Sequence, residues 1–155
     1  MKTLSILFSI LITFFCVSFN AYSQELTTEQ KEKIVPEITT VFERSIKAAE
    51  SLDLKLLTDC VDDSLKAGFI INGRFFQSFN EVIADFTERA KGCESQKMNV
   101  ANKEITILGE NAALLTASGD WSVYLEDGRI LTGEFAWTIV YSKVNGNWKI
   151  IHSNM

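Results

Sequence analysis

Apolar positions recur every three or four residues along residues 27–92, and every second residue beyond Gly92. The first spacing belongs to amphipathic helices and the second to half-buried strands. Thr27 and Gln30 have the spacing of a capping box, and Ile38, Val41, Phe42, Ile46 and Ala49 follow as one helix face. Pro36 should kink or restart that helix, because proline donates no backbone hydrogen bond. Asp53 is placed to cap a second helix that turns Leu57, Cys60 and Val61 inward and ends at Asp62 and Asp63. In the stretch AGFIINGRFF, Asn72-Gly73 lies between two apolar runs and predicts a short hairpin. Ser78 and Glu81 then open a third helix through Val82, Ile83, Phe86 and Ala90, which Gly92 stops.

The period-two region divides into strands at 97–108, 112–125, 129–143 and 147–154. Gly109-Glu110-Asn111 forms one turn, while Asp127-Gly128 and Asn145-Gly146 read as two-residue hairpin turns. Helices followed by long antiparallel strands make an α+β domain with its helices packed on one face of a curved sheet.

Counting outward from the two-residue turns sets a register. Tyr141 then faces Ile150 and Ile139 faces His152, while Asp120 faces Phe135, Ser118 faces Trp137 and Thr116 faces Ile139. One sheet face would carry these residues with Trp148. The other would carry Leu115, Ala117, Ala136, Thr138, Val140 and Ile151. Both faces are largely apolar, so the sheet needs two covers. The helices supply one, and a second copy of the chain is the simplest other, which predicts a homodimer through the outer face.

The N-terminus adds a different pattern. Met1-Lys2 precedes an apolar run over 4–17 and a polar stretch ending in Ala21-Tyr22-Ser23. This is the pattern of a secretory signal cleaved after Ser23. The run is shorter than the roughly 20 residues that span a bilayer, and Phe14 and Phe15 stand where lipoprotein processing at Cys16 needs small residues. The expected organisation is a signal peptide, 1–23, and a single domain, 24–155, in an exported protein, periplasmic or secreted, with no membrane attachment after cleavage.

The full chain carries a net charge of -5, and removing residues 1–23 leaves 14 basic and 20 acidic side chains. That balance argues against a nucleic acid partner, whose phosphates require clustered Lys and Arg. Cys60 and Cys93 remain after cleavage. In an oxidising compartment they either close a disulfide loop of about 33 residues, worth roughly 3 to 4 kcal/mol, or stay as buried, inert thiols. His152 is the chain's one histidine, so neither a metal site nor a Cys-His dyad is expected, and no cofactor is implied.

The segments SLDLKLLTDCVDDSLKAGFI and VYSKVNGNWKIIHSNM, with Trp148 four residues before His152, resemble the NTF2-like superfamily in its SnoaL-like and DUF4440-like branch. The resemblance spans residues 24–155. It implies a cone of three helices wrapped by a strongly bent, mainly antiparallel sheet around a pocket, and pairing through the outer face of the sheet. Ketosteroid isomerase-like members place an aspartate base near the first strand and an oxyanion tyrosine on the first helix. Here the strand region reads Ala67-Gly68-Phe69-Ile70, and no tyrosine lies between Tyr22 and Tyr124. The isomerase set is therefore absent. In the related association domain of calmodulin-dependent kinases, a His-x-His pair on the last strand points into the pocket. His152 matches its first position, Asn154 stands at the second, and a pocket arginine of that group falls at Ile139.

Three functional readings follow. The first is an exported binding protein whose mostly apolar pocket holds a small hydrophobic or aromatic molecule, lined by Phe69, Trp137 and Tyr141 with Ser118, Asp120, His152 and Asn154 as polar points. The second is a SnoaL-type lyase, isomerase or cyclase using His152 and Asp120 as acid and base. The third, a dimerisation module without ligand, requires an interior filled by the protein's own side chains.

Overall fold

The structure, a computed structural model, describes residues 26–155. The expected signal segment lies outside the described residues. Three helices are followed or interleaved by six strands: α1 (Thr28–Glu50), α2 (Leu54–Asp59), β1 (Phe69–Ile71), β2 (Arg74–Phe76), α3 (Phe79–Arg89), β3 (Cys93–Gly109), β4 (Ala112–Leu125), β5 (Ile130–Val144) and β6 (Asn147–Asn154). They form the expected α+β cone, with the helices on one face of an open six-stranded sheet. Its strand order is β2-β1-β6-β5-β4-β3. Every pairing is antiparallel except β1 with β6.

Local signals set the helix ends. Thr27 accepts from Gln30 N and Gln30 Oε1 accepts from Thr27 N at 2.8 Å, the reciprocal bonds of a capping box. Asp53 accepts from Leu56 N at 2.9 Å and starts α2, while Ser78 starts α3 by accepting from Glu81 N. Pro36 lies inside α1, which continues through it. The fully buried stripe is Ile34, Ile38, Phe42, Ser45 and Ala48, so the face is rotated slightly from the expected one, with Val41 and Ile46 at its margin.

Two details of the strands overturn the counted register. At Asp127-Gly128, Leu125 N bonds Arg129 O and Gly128 N bonds Leu125 O, both at 2.9 Å. The loop therefore has three residues, with Gly128 in the left-handed region at φ 84°, as in a type I turn closed by a glycine bulge. The pairing slips by one position. Ser118 lies opposite Ala136, Asp120 opposite Glu134 and Thr116 opposite Thr138, while Leu115 faces Ile139 and Ala117 faces Trp137. A one-residue slip exchanges the faces. Thr116, Ser118 and Asp120 move outward, and Leu115 and Ala117 move into the core.

The Asn145-Gly146 turn is the two-residue turn expected, pairing Val144 with Asn147 and Tyr141 with Ile150. Beyond Ile150, however, β6 bulges. Ile151 has no partner, Val140 pairs with His152, and Ile139 pairs with Ser153 instead of His152. An extra residue displaces the following side chains, so His152 joins the outer face and Ser153 the inner.

The bulge falls where the other edge of β6 changes partner. Ile150 bonds the 60–62 segment, with Ile150 N to Cys60 O and Asp62 N to Ile150 O, each at 2.9 Å. Three residues later β6 pairs with β1, Phe69 beside Ser153 and Ile70 beside Asn154. Between them, His152 Nδ1 lies 2.8 Å from Gly68 O.

The core lies between α1 and the inner sheet face. Ile38, Phe69, Leu115, Ile139 and Tyr141 are fully buried there, with Phe42 and Ile150 beside them. At the far edge, Glu50 Oε1 accepts from Met98 N at 2.9 Å and Gln96 Nε2 donates to Ala49 O. The end of α1 thus occupies one backbone N–H of edge strand β3, that of Met98, which would otherwise be open to another strand.

Candidate functional site: a filled cone and an uncharged patch on the outer face

The residues expected to line one pocket separate onto two faces. Phe69, Trp137 and Tyr141 point into the cone, where they pack as core. Phe69 meets Phe79 edge-on with ring centroids 5.2 Å apart, and Trp137 meets Phe42 at 5.9 Å. Phe69 and Tyr141 have no exposure. Ser118, Asp120, His152 and Asn154 share the outer face by their cross-strand partners Ala136, Glu134, Val140 and Thr138.

His152 and Asp120 are not brought together. His152 lies opposite Val140, which lies opposite Leu114 on β4. Asp120 is six residues further along that strand, about 20 Å at 3.3 Å per residue. Each is occupied locally: Asp120 accepts from Asn99 Nδ2 at 2.9 Å, and His152 bonds the Gly68 carbonyl. A carbonyl oxygen only accepts, so Nδ1 carries the proton. The histidine is a clasp between β6 and the residue that precedes β1.

Three buried polar atoms among the described residues stay unsatisfied, one of them Asp63 Oδ1. Tyr141 OH and Trp137 Nε1 are buried without a hydrogen-bond partner among the described residues. Burial drives the Tyr141 phenol far above its ordinary value of 10.0, because a phenolate cannot be solvated there. Cys60 and Cys93 are both free thiols. Cys60 is buried and bonds Leu56 O at 3.3 Å, and burial raises its thiol above the usual range. Cys93, partly exposed, bonds Ser95 O at 3.4 Å. Among the described residues both cysteines are unbonded, and of the two only Cys60 is a buried thiol.

The outer face carries Ala136, Thr138 and Val140, as the sequence count assigned them, together with Thr116, Ser118, Asp120 and His152, which it had assigned inward. At its centre, on β4 and β5, stand Leu114, Thr116, Ser118, Ala136, Thr138 and Val140 in cross-strand pairs. None is charged, and each keeps at least part of its surface exposed. Glu104 and Asn102 of β3 flank them on one side, His152 and Asn154 of β6 on the other, and Asp120 and Glu134 close one end. Sequence reasoning had the composition of this face half right, and a glycine-closed turn decided the rest.

Helices packed on one face of an open, bent sheet, with β1 and β2 folded beside the final strand, define the NTF2-like class of α+β proteins. Solved structures share it. An NTF2-like superfamily protein from Salmonella enterica serovar Typhimurium superposes with a TM-score of 0.72 at 19% identity, over 80% of this chain and 90% of that one. A type 2 hexachlorocyclohexane dehydrochlorinase has a TM-score of 0.69 at 12% identity, over 83% and 87%. The association domain of Caenorhabditis elegans calcium/calmodulin dependent kinase II has a TM-score of 0.58 at 19% identity, over 81% and 94%. At these identities the likeness concerns the fold alone. The chain belongs to the calcium/calmodulin dependent protein kinase II association domain family, whose model matches residues 35–154. No curated protein matches it in sequence.

Proposed function

We propose that the protein is an exported self-association module that pairs as a homodimer through the outer face of its sheet. The observation that carries this reading is the uncharged centre of that face. Six adjacent positions on the two middle strands of the β3–β6 meander, Leu114 and five small or β-branched residues, are uncharged and partly exposed, where a solvated antiparallel sheet normally also turns charged side chains outward. The acids and amides that border it match the polar rim of a protein interface. A relative in fold is described as an association domain, and the interior is packed with the chain's own aromatic side chains.

The test is the mass in solution. Sedimentation equilibrium should give a dimer, and Thr138→Arg, which places a charge at the centre of the patch, should give a monomer with unchanged circular dichroism. A wild-type protein that stays monomeric at micromolar concentration refutes the reading. Export rests on the basic start, apolar run and small-residue site of residues 1–23. Sequencing the N-terminus of protein recovered outside the cytoplasm should begin at Gln24.

A second reading, a small molecule held in the cone, is favoured by one observation: the unpartnered Tyr141 OH and Trp137 Nε1. Such a ligand would be small, largely apolar and equipped to bond one or both groups. Mass spectrometry of material released from the purified protein would detect it. Loss of that material in Tyr141→Phe would support the reading, and its retention would count against it.

A further inference from the structure

A cleft of about 360 Å³ opens outside the cone, between α1, the end of α2 and the β5–β6 turn. Its α1 wall is made by Glu37, Val41 and Arg44, which succeed one another along a single helix face. Opposite stand Trp148 and Lys149, with Asp59 and Cys60 closing the base.

The charges in this cleft do not cancel in place. Glu37 Oε2 already accepts from Trp148 Nε1 at 2.7 Å and approaches Lys143 Nζ at 3.4 Å. Asp59 is held by Lys55 at 2.8 Å. Each carboxylate of the lining is therefore matched by a lysine from outside it. Arg44 reaches Asp59 only at 3.7 Å and makes no hydrogen bond among the described residues. Lys149 donates to the backbone carbonyl of Asp59, which leaves its charge uncompensated by that bond. A chain of net charge -5 thus brings two cations to one concave site. Arg44 has only a long ion pair to Asp59, and Lys149 has its hydrogen bond spent on a carbonyl, with Asp59 and Asp62 as its nearby acids. The fork of Arg44 offers the paired donors that suit a planar oxyanion. Val41 and the ring of Trp148 form an apolar wall beside it.

We propose that this cleft binds a small organic oxyanion, its charged group held by Arg44 and Lys149 and its apolar body laid on Val41 and Trp148. Its lining shares no residue with the uncharged patch of the outer face, nor with Phe69, Trp137 and Tyr141 of the cone. Glu37 does not repel such a ligand strongly, because its charge is engaged by the indole N–H and Lys143, and it orients the Trp148 ring that the apolar body would contact.

Benzoate is a suitable probe, because it joins one carboxylate to one ring. Titration followed by the Trp148 indole N–H signal in two-dimensional NMR should give a saturable shift at millimolar concentration. Arg44→Gln should weaken binding about tenfold, the size expected for losing a charge-assisted hydrogen bond, and Lys149→Gln should weaken it in the same direction. Thermal melts of both variants would show that the fold is retained. Benzyl alcohol, with the ring and no charge, should not bind. The proposal fails if benzoate gives no saturable shift, if Arg44→Gln binds it as wild type does, or if benzyl alcohol binds equally well. None of these outcomes depends on the oligomeric state, so failure here leaves the dimer reading intact.

Discussion

Tyr141 combines complete burial with a hydroxyl that finds no partner among the described residues. An unsatisfied buried hydroxyl costs about 1 to 3 kcal/mol, so Tyr141→Phe should leave the protein as stable or up to about 1 kcal/mol more stable near neutral pH. Its pH dependence has a definite sign. The phenol is held above its ordinary value of 10.0 in the folded chain, so its contribution is fully present below that pH and is lost as the pH rises past it, when the unfolded chain ionises and the folded one resists. Chemical denaturation across the alkaline range should show a smaller loss for Tyr141→Phe than for wild type. An equal loss in both would remove Tyr141 as the cause. His152 gives the complementary lesson at this scale. Its isolation in the sequence marked it as a candidate catalyst, yet it bonds a backbone carbonyl. That role depends on where Gly68 lies in space, which composition and spacing do not reveal.

Among the elements, β4 is the most constrained at Gly119. A methyl group added there would stand 1.9 Å from Asn99 O and 3.1 Å from Ala101 N. Both are backbone atoms beside the bulge at Ala101, so the clash cannot be relieved by turning a side chain. Gly119→Ala should cost at least about 3 kcal/mol, in the range of severe overpacking, and a urea melt would measure it. A loss below 1 kcal/mol would mean that β3 and β4 can separate locally without penalty. The two hairpin turns show which parts of these elements were legible. Asn145-Gly146 and Asp127-Gly128 carry nearly the same local signal, and both do mark turns. Asn145 and Gly146 both adopt positive φ, which gives the two-residue loop. Asp127 instead accepts from Arg129 N at 3.1 Å, and its loop takes three residues. The existence and order of the elements could therefore be read from periodicity and capping residues, and β4 and β6 to their end residues. Which side chains shared a face depended on one residue of loop length and one bulge, and the candidate site moved with them.

At the scale of the whole molecule, the helices cover one side of the sheet and leave the other side's uncharged centre without a cover among the described residues. If a second copy supplies it, association and folding stability are linked by mass action. The melting temperature should then rise with protein concentration in wild type and stay flat in Thr138→Arg; a concentration-independent wild type would separate the patch from stability. The helix-then-strand order made the α+β architecture legible from the sequence, and the same order determines when the molecule can finish. β6 is made last among the described strands, yet it lies inside the sheet, bonded on one side to β5 and on the other to the 60–62 segment and β1. These partners lie far apart in sequence, a topology that slows folding because long loops must close first. During synthesis α2, the β1–β2 hairpin and the apolar edge of β5 must wait, unjoined, until β6 emerges. This final strand is thus the seam on which the nascent chain's core closes.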